Sequence, residues 1–118
     1  MATPNIVNVA TINAKNATGA VTTSRAVAVD VAADKVAKIN TILICNIDGT
    51  NAADITIEVS VDNGSNYVKI ASTISVPADA TLSFLENPIY LDETDLLYFT
   101  ASAANDLTYF VSYEEITD

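Results

Sequence analysis

The chain contains no histidine and no tryptophan, one cysteine, three glycines, and only five basic residues against fifteen acidic ones. Each shortage removes a class of chemistry. Without His, the side chain that most often moves protons near neutral pH is missing, and so is the usual partner of a Ser or Cys nucleophile. A lone cysteine closes no disulfide within the chain, and Cys45, set in the apolar run 41–47, is expected to be a buried and inert thiol. Three scattered glycines leave no phosphate-cradling loop. No run approaches the ~18 apolar residues of a membrane span. No stretch reads as a signal peptide either, so the chain is expected to be made and used in soluble form.

The few basic residues are unevenly placed. Residues 1–38 carry Lys15, Arg25, Lys35 and Lys38 against two carboxylates, whereas residues 39–118 carry Lys69 against thirteen. The second part repels phosphate backbones and anionic lipid, so neither nucleic acid nor a membrane is expected as a partner. The mildly basic first third is suited to docking on an acidic neighbour. Aromatic residues are skewed the other way: all eight lie at or after Tyr67, which places the packing centre in the second half, joined by the aliphatic segment 39–47.

What the chain has is alternation. Residues 55–61 read I-T-I-E-V-S-V, which buries one face of a strand and wets the other. Strands are expected at 5–13, 20–31, 36–47, 54–62, 67–74, 80–86, 89–91, 96–102 and 107–115. Turn chemistry separates them at 15–19, 32–35, 48–51, 92–95 and 103–106. Asn63-Gly64 is the strongest hairpin signal, and Pro77 and Pro88 belong at strand ends or edges. Residues 30–39 carry a competing helical pattern, with Asp30 as a cap, but alternating Val27, Val29 and Val31 favour strand, turn, strand. In this register Ile55, Ile57, Val59, Val61, Leu97, Phe99, Ala101, Tyr109, Val111 and Tyr113 face inward. Thr56, Glu58, Ser60 and Asp62 face water.

At 118 residues the chain fits one domain burying roughly two thirds of its unfolded surface. Short strands at close spacing indicate an all-β, antiparallel β-sandwich, immunoglobulin-like or jelly-roll, with residues 1–38 as an extended arm or edge and 39–118 as the body.

Candidate chemistry is thin. Glu58 and Asp62 share the outer face but stand roughly 13 Å apart along a strand, too far for a retaining pair of carboxyl groups. Oxygen-rich segments at 48–54, 62–66 and 92–95 are the places where calcium could find ligands. None has EF-hand spacing, and turn chemistry accounts for each, so no cofactor or metal is expected. The sequons at Asn16 and Asn63 carry meaning only in a secreted protein. The expectation is a protein that is not an enzyme.

Particular strings resemble a known family. These are K-I-N-T-I-L-I-C-N-I-D-G-T-N-A-A-D-I-T-I-E-V at 38–59, I-A-S-T-I-S-V-P-A-D-A-T-L at 70–82, I-Y-L-D-E-T-D-L-L-Y-F-T-A-S-A-A-N-D-L at 89–107 and V-S-Y-E-E-I at 111–116. The chain resembles small virion structural proteins of marine tailed bacteriophages, cyanophages and their relatives, from about residue 12 onward. It departs from them mainly in the first 35 residues and at 97–99. The resemblance implies a capsid decoration, or cement, protein: a homotrimer bridging major capsid proteins on the outside of the shell, assembled in the cytoplasm of a host bacterium. On that reading residues 1–38 are the docking arm, with Lys15, Arg25, Lys35 and Lys38 as its contacts. The alternatives are a neck, collar or tail component, or a module gripping host glycans, for which Tyr67, Tyr90 and Tyr98 are the stacking candidates.

Overall fold

The computed structural model describes residues 11–117. Nine strands occur among them and no helix: β1 (Thr11–Ala20), β2 (Ala26–Asp30), β3 (Lys35–Asn46), β4 (Ala53–Ser60), β5 (Val68–Val76), β6 (Thr81–Ser83), β7 (Ile89–Leu91), β8 (Leu96–Ala101) and β9 (Leu107–Thr117). All pairings are antiparallel. One sheet runs β1-β9-β3, with β6 and β7 sharing the far side of β3, and the other runs β2-β8-β4-β5. Apart from the β4–β5 hairpin and the β6–β7 pair, each step along the chain crosses between sheets. That order is a jelly roll, which decides between the two sandwich topologies left open above.

The core forms where the two inner faces meet. Ile39, Ile42 and Ile44 of β3 and Val111 of β9 oppose Ile55 and Ile57 of β4 with Leu97 and Phe99 of β8, all buried. The Phe99 ring meets Tyr109 edge-on, with centroids 4.9 Å apart. Val21, Val29 and Val31 from the first third also reach this core. Residues 11–38 therefore enter both sheets.

Several expectations are corrected. Residues 15–19 form no turn; they continue β1, which is in unbroken register with β9 from Thr11↔Thr117 to Ala20↔Thr108. Ten residues of ladder outweigh the local turn preference of Lys-Asn-Ala-Thr-Gly. Gly19 helps, because its partner Tyr109 lays its ring over the bare backbone, where a β-carbon would sit 3.2 Å from the hydroxyl. Of the strand expected at 5–13, residues 5–10 lie outside the described residues. The strand expected over 20–31 shrinks to β2. The helical alternative at 30–39 does not form: Asp34, at φ 64°, turns the chain from β2 into β3. Val61 does not continue the inward row, because β4 ends at Ser60 and Val61 is 68% exposed. Cys45 is only half-buried, pointing away from the core opposite Thr108 and Thr81.

Glu58 and Ser60 are buried, not wet. The β4–β5 loop causes this by folding back over the outer face of its own sheet. Asn63 and Gly64 both take positive φ, 58° and 88°, the conformation that a type I′ turn requires. The Gly64 amide donates to Ser60 Oγ at 2.8 Å, and Ser60 Oγ donates to Asp62 Oδ1 at 2.9 Å.

Candidate assembly surfaces

The four cations expected to dock on a partner each hold a carboxylate of their own chain. Lys15 and Lys35 converge on Glu115 Oε1 at 3.5 and 3.4 Å, and Lys38 meets Glu114 Oε2 at 3.7 Å. The antiparallel ladder explains the gathering, since β1 and β3 flank the β9 segment that carries both glutamates. Arg25 is not part of this group. It lies on the outer face of the other sheet, where Nε and Nη2 donate to Glu58 Oε1 and Oε2 at 2.9 and 3.2 Å.

That second group is closed. The guanidinium carbon of Arg25 lies 3.7 Å from the centre of the Tyr67 ring, and Tyr67 meets Tyr98 edge-on at 5.1 Å. Lys69, the cross-strand partner of Glu58, approaches Oε2 to 3.8 Å. The Arg25 hydrogen bonds hold the Glu58 carboxyl below its ordinary range despite burial, which pulls the other way. Burial pushes the Tyr98 hydroxyl up. Of the three tyrosines considered for sugar stacking, Tyr67 has one face covered and Tyr98 is buried, so only Tyr90, 54% exposed, is open.

The oxygen-rich segments have their carboxylates engaged by donors of this chain, mostly amides of their own turns. Asp48 accepts from the amides of Thr50 and Asn51, and Asp62 from the amide and side chain of Asn66; both carboxyls are lowered by these bonds. At 92–95, Asp95 Oδ2 accepts from the Asp92 amide, and Glu93, also buried, accepts from the Asp34 amide. Burial raises the Asp95 carboxyl. Among the described residues no three acidic or thiol side chains converge as a metal would require.

Asn46 was not anticipated. Buried at the end of β3, it donates from Nδ2 to Asn51 O (2.9 Å) and Val76 O (3.0 Å), and its Oδ1 accepts from the Asp48 amide (2.9 Å). It pins the 47–52 loop to the end of β5. The available signal was an inward polar position immediately ahead of Asp48-Gly49.

The most open feature is β1. Nine of its ten residues are exposed, and among the described residues no strand pairs with its second edge. The remaining sheet edges are less regular. β2 has five residues with a bulge between Val27 and Val29. β5 changes register twice against β4, with Thr73 at φ 46°. β6 and β7 have three residues each and are separated by residues 84–88, which include Pro88.

No protein-family model matches the chain, and no curated protein matches its sequence. Solved structures do resemble it. A protein of Bacillus endospore appendages, described as a novel family of disulfide-linked pili, aligns over 91% of this chain and 87% of its own at 16% identity, with a TM-score of 0.54. This likeness is one of fold. A pentameric capsid protein from metagenomic phage sequences aligns over 86% of this chain at 15% identity and a TM-score of 0.40, and the chain spans 60% of that protein's length. The Drosophila NLP core, described as pentamer-forming and histone-binding, aligns over 87% of this chain and 96% of its own at 13% identity, with a TM-score of 0.44. The last two are too distant to speak for a shared role.

Proposed function

We propose that this chain is a structural subunit of a tailed-bacteriophage virion, acting as a decoration protein on the outer surface of the major capsid protein shell. It performs no catalysis, and it is assembled onto the shell in the cytoplasm of the host. The observation that carries this reading is the position of the family-like strings. They fall on β3 and β4, on β5 and β6, on β7 and β8, and on β9, seven of the nine strands described in the jelly roll. That architecture recurs among capsid proteins, although the fold alone does not fix a role.

Such a protein works by area. Spanning neighbouring capsid subunits, it adds buried surface that must be undone before DNA pressure can part them. Lys15 and Lys35, which share Glu115 on one face of the β1-β9-β3 sheet, are the contacts suited to an acidic patch on the shell, with Lys38 and Glu114 on the opposite face; their ion pairs are only partly buried and can exchange partners at modest cost. Arg25, engaged with Glu58 and Tyr67, is not offered for docking.

Quantitative mass spectrometry of purified virions tests the reading. A decoration protein is present at a fixed ratio to the major capsid protein, and particles lacking it open at lower temperature. A copy number matching a single ring moves it to the neck or tail. Absence from virions, with binding on a glycan array, overturns the proposal.

A further inference from the structure

From the contrast among the sheet edges we infer that the free edge of β1 pairs antiparallel with β1 of a second copy, joining two jelly rolls through one continuous sheet. This stands apart from the virion reading and would hold for the isolated protein.

A free strand edge offers the N–H and C=O groups of alternate residues to any strand that can lie alongside. Folded proteins blunt such edges with short strands, bulges and proline. Here β2, β5 and the β6–β7 side all carry one of these devices. β1 carries none: it has ten residues, no proline and no break in register. Its single charged residue, Lys15, is the kind of side chain that usually guards an edge, but it is drawn toward Glu115 on β9, away from the open side. The other nine residues are Thr, Ile, Asn, Ala and Gly, small apart from Ile12, and leave room for close approach.

The same contrast selects the occupant. Among the described residues a second copy presents irregular or short edges except at its own β1, so the regular partner for β1 is β1. Like meeting like across a two-fold axis gives a closed pair and not a fibre. Charge agrees with this choice. Each copy carries a net charge of −10, yet β1 contains no carboxylate, so the copies meet along a strand that adds no carboxylate of its own to their repulsion. Salt, by screening the remainder, should tighten the pair, opposite to its effect on a contact made by attracting charges.

Sedimentation of the purified full chain is expected to show a dimer whose dissociation constant falls as sodium chloride rises. Asn16→Glu with Thr18→Glu places carboxylates on the exposed face of β1, opposite Ser112 and Phe110. Near the two-fold axis they come close to the same carboxylates of the second copy, which should weaken dimerisation at least about tenfold while leaving circular dichroism unchanged. Spin labels report the register in a Cys45→Ser background. A label at Asn16→Cys should lie close enough to its copy to broaden the spectrum, and one at Thr11→Cys should be roughly 30 Å from its copy. A monomer at every concentration, a trimer such as the family resemblance implies, or a dimer indifferent to both the substitutions and the label position would each overturn the inference.

Discussion

Replacing Asn46 isolates the cost of leaving buried backbone groups without partners. In Asn46→Ala the Val76 carbonyl, buried between β3 and β5, loses its side-chain donor; nearer to water the Asn51 carbonyl loses its donor and the Asp48 amide loses its acceptor. An orphaned buried acceptor costs about 1–3 kcal/mol, and each of the two wetter groups about 0.5–1 kcal/mol. The expected loss is about 3 kcal/mol. With an unfolding entropy of about 0.25 kcal/mol per kelvin for 118 residues, the melting temperature should fall by about 12 °C.

Asn46→Asp sharpens the test, because it preserves shape and keeps an acceptor for the Asp48 amide. It also turns the donor into an oxygen facing two carbonyls at 2.9 and 3.0 Å. At neutral pH this variant should be less stable than Asn46→Ala. The introduced carboxyl is raised on folding by burial and by those carbonyls, so its protonated form is the compatible one. Stability relative to wild type is therefore recovered as pH falls through the raised value, where a proton restores one donor. Urea unfolding at fixed protein concentration from pH 7 to pH 4 reads both effects. Equal stability of Asn46→Asp and wild type at pH 7, or parallel pH profiles, would refute the hydrogen-bond account.

Other perturbations follow from the same structure. Glu58 is depressed by Arg25, so its contribution is complete above its unfolded pKa and is lost as pH falls through the lower folded value; Glu58→Gln should flatten the acid limb of the urea midpoint against pH. Asp95 behaves oppositely: burial raises it, its charged form costs stability once pH exceeds the folded value, and Asp95→Asn should raise the midpoint at pH 7 but not in acid. Ile57→Ala removes a fully buried side chain and should cost roughly 3 kcal/mol, whereas Val61→Ala should stay within about 0.5 kcal/mol, both by urea unfolding. Reversed ranking of that last pair would mean that β4 runs on past Ser60.

The alternation that made β3, β4, β8 and β9 readable is a local property, and those strands lie where the pattern places them. What it could not convey is what covers the second face. Thr56, Glu58 and Ser60 have the small or charged side chains of a wet strand, yet Glu58 and Ser60 are buried because residues 61–67 double back and bring Tyr67 against Arg25 and Tyr98. The loop's departure was visible in Asn63-Gly64; its landing place depends on contacts with Arg25 and β8, distant in sequence. β1 failed for the converse reason. Its residues have weak preferences and a turn-like composition at 15–19, so its conformation is imposed by the ladder with β9, some ninety residues away. The docking cations share this origin: Lys15, Lys35 and Lys38 look like free charges in a basic arm until the β1-β9-β3 order sets Glu114 and Glu115 among them. A strand held by one neighbour among the described residues, with few preferences of its own and no described strand on its other edge, is the part of this chain most readily completed by a second copy.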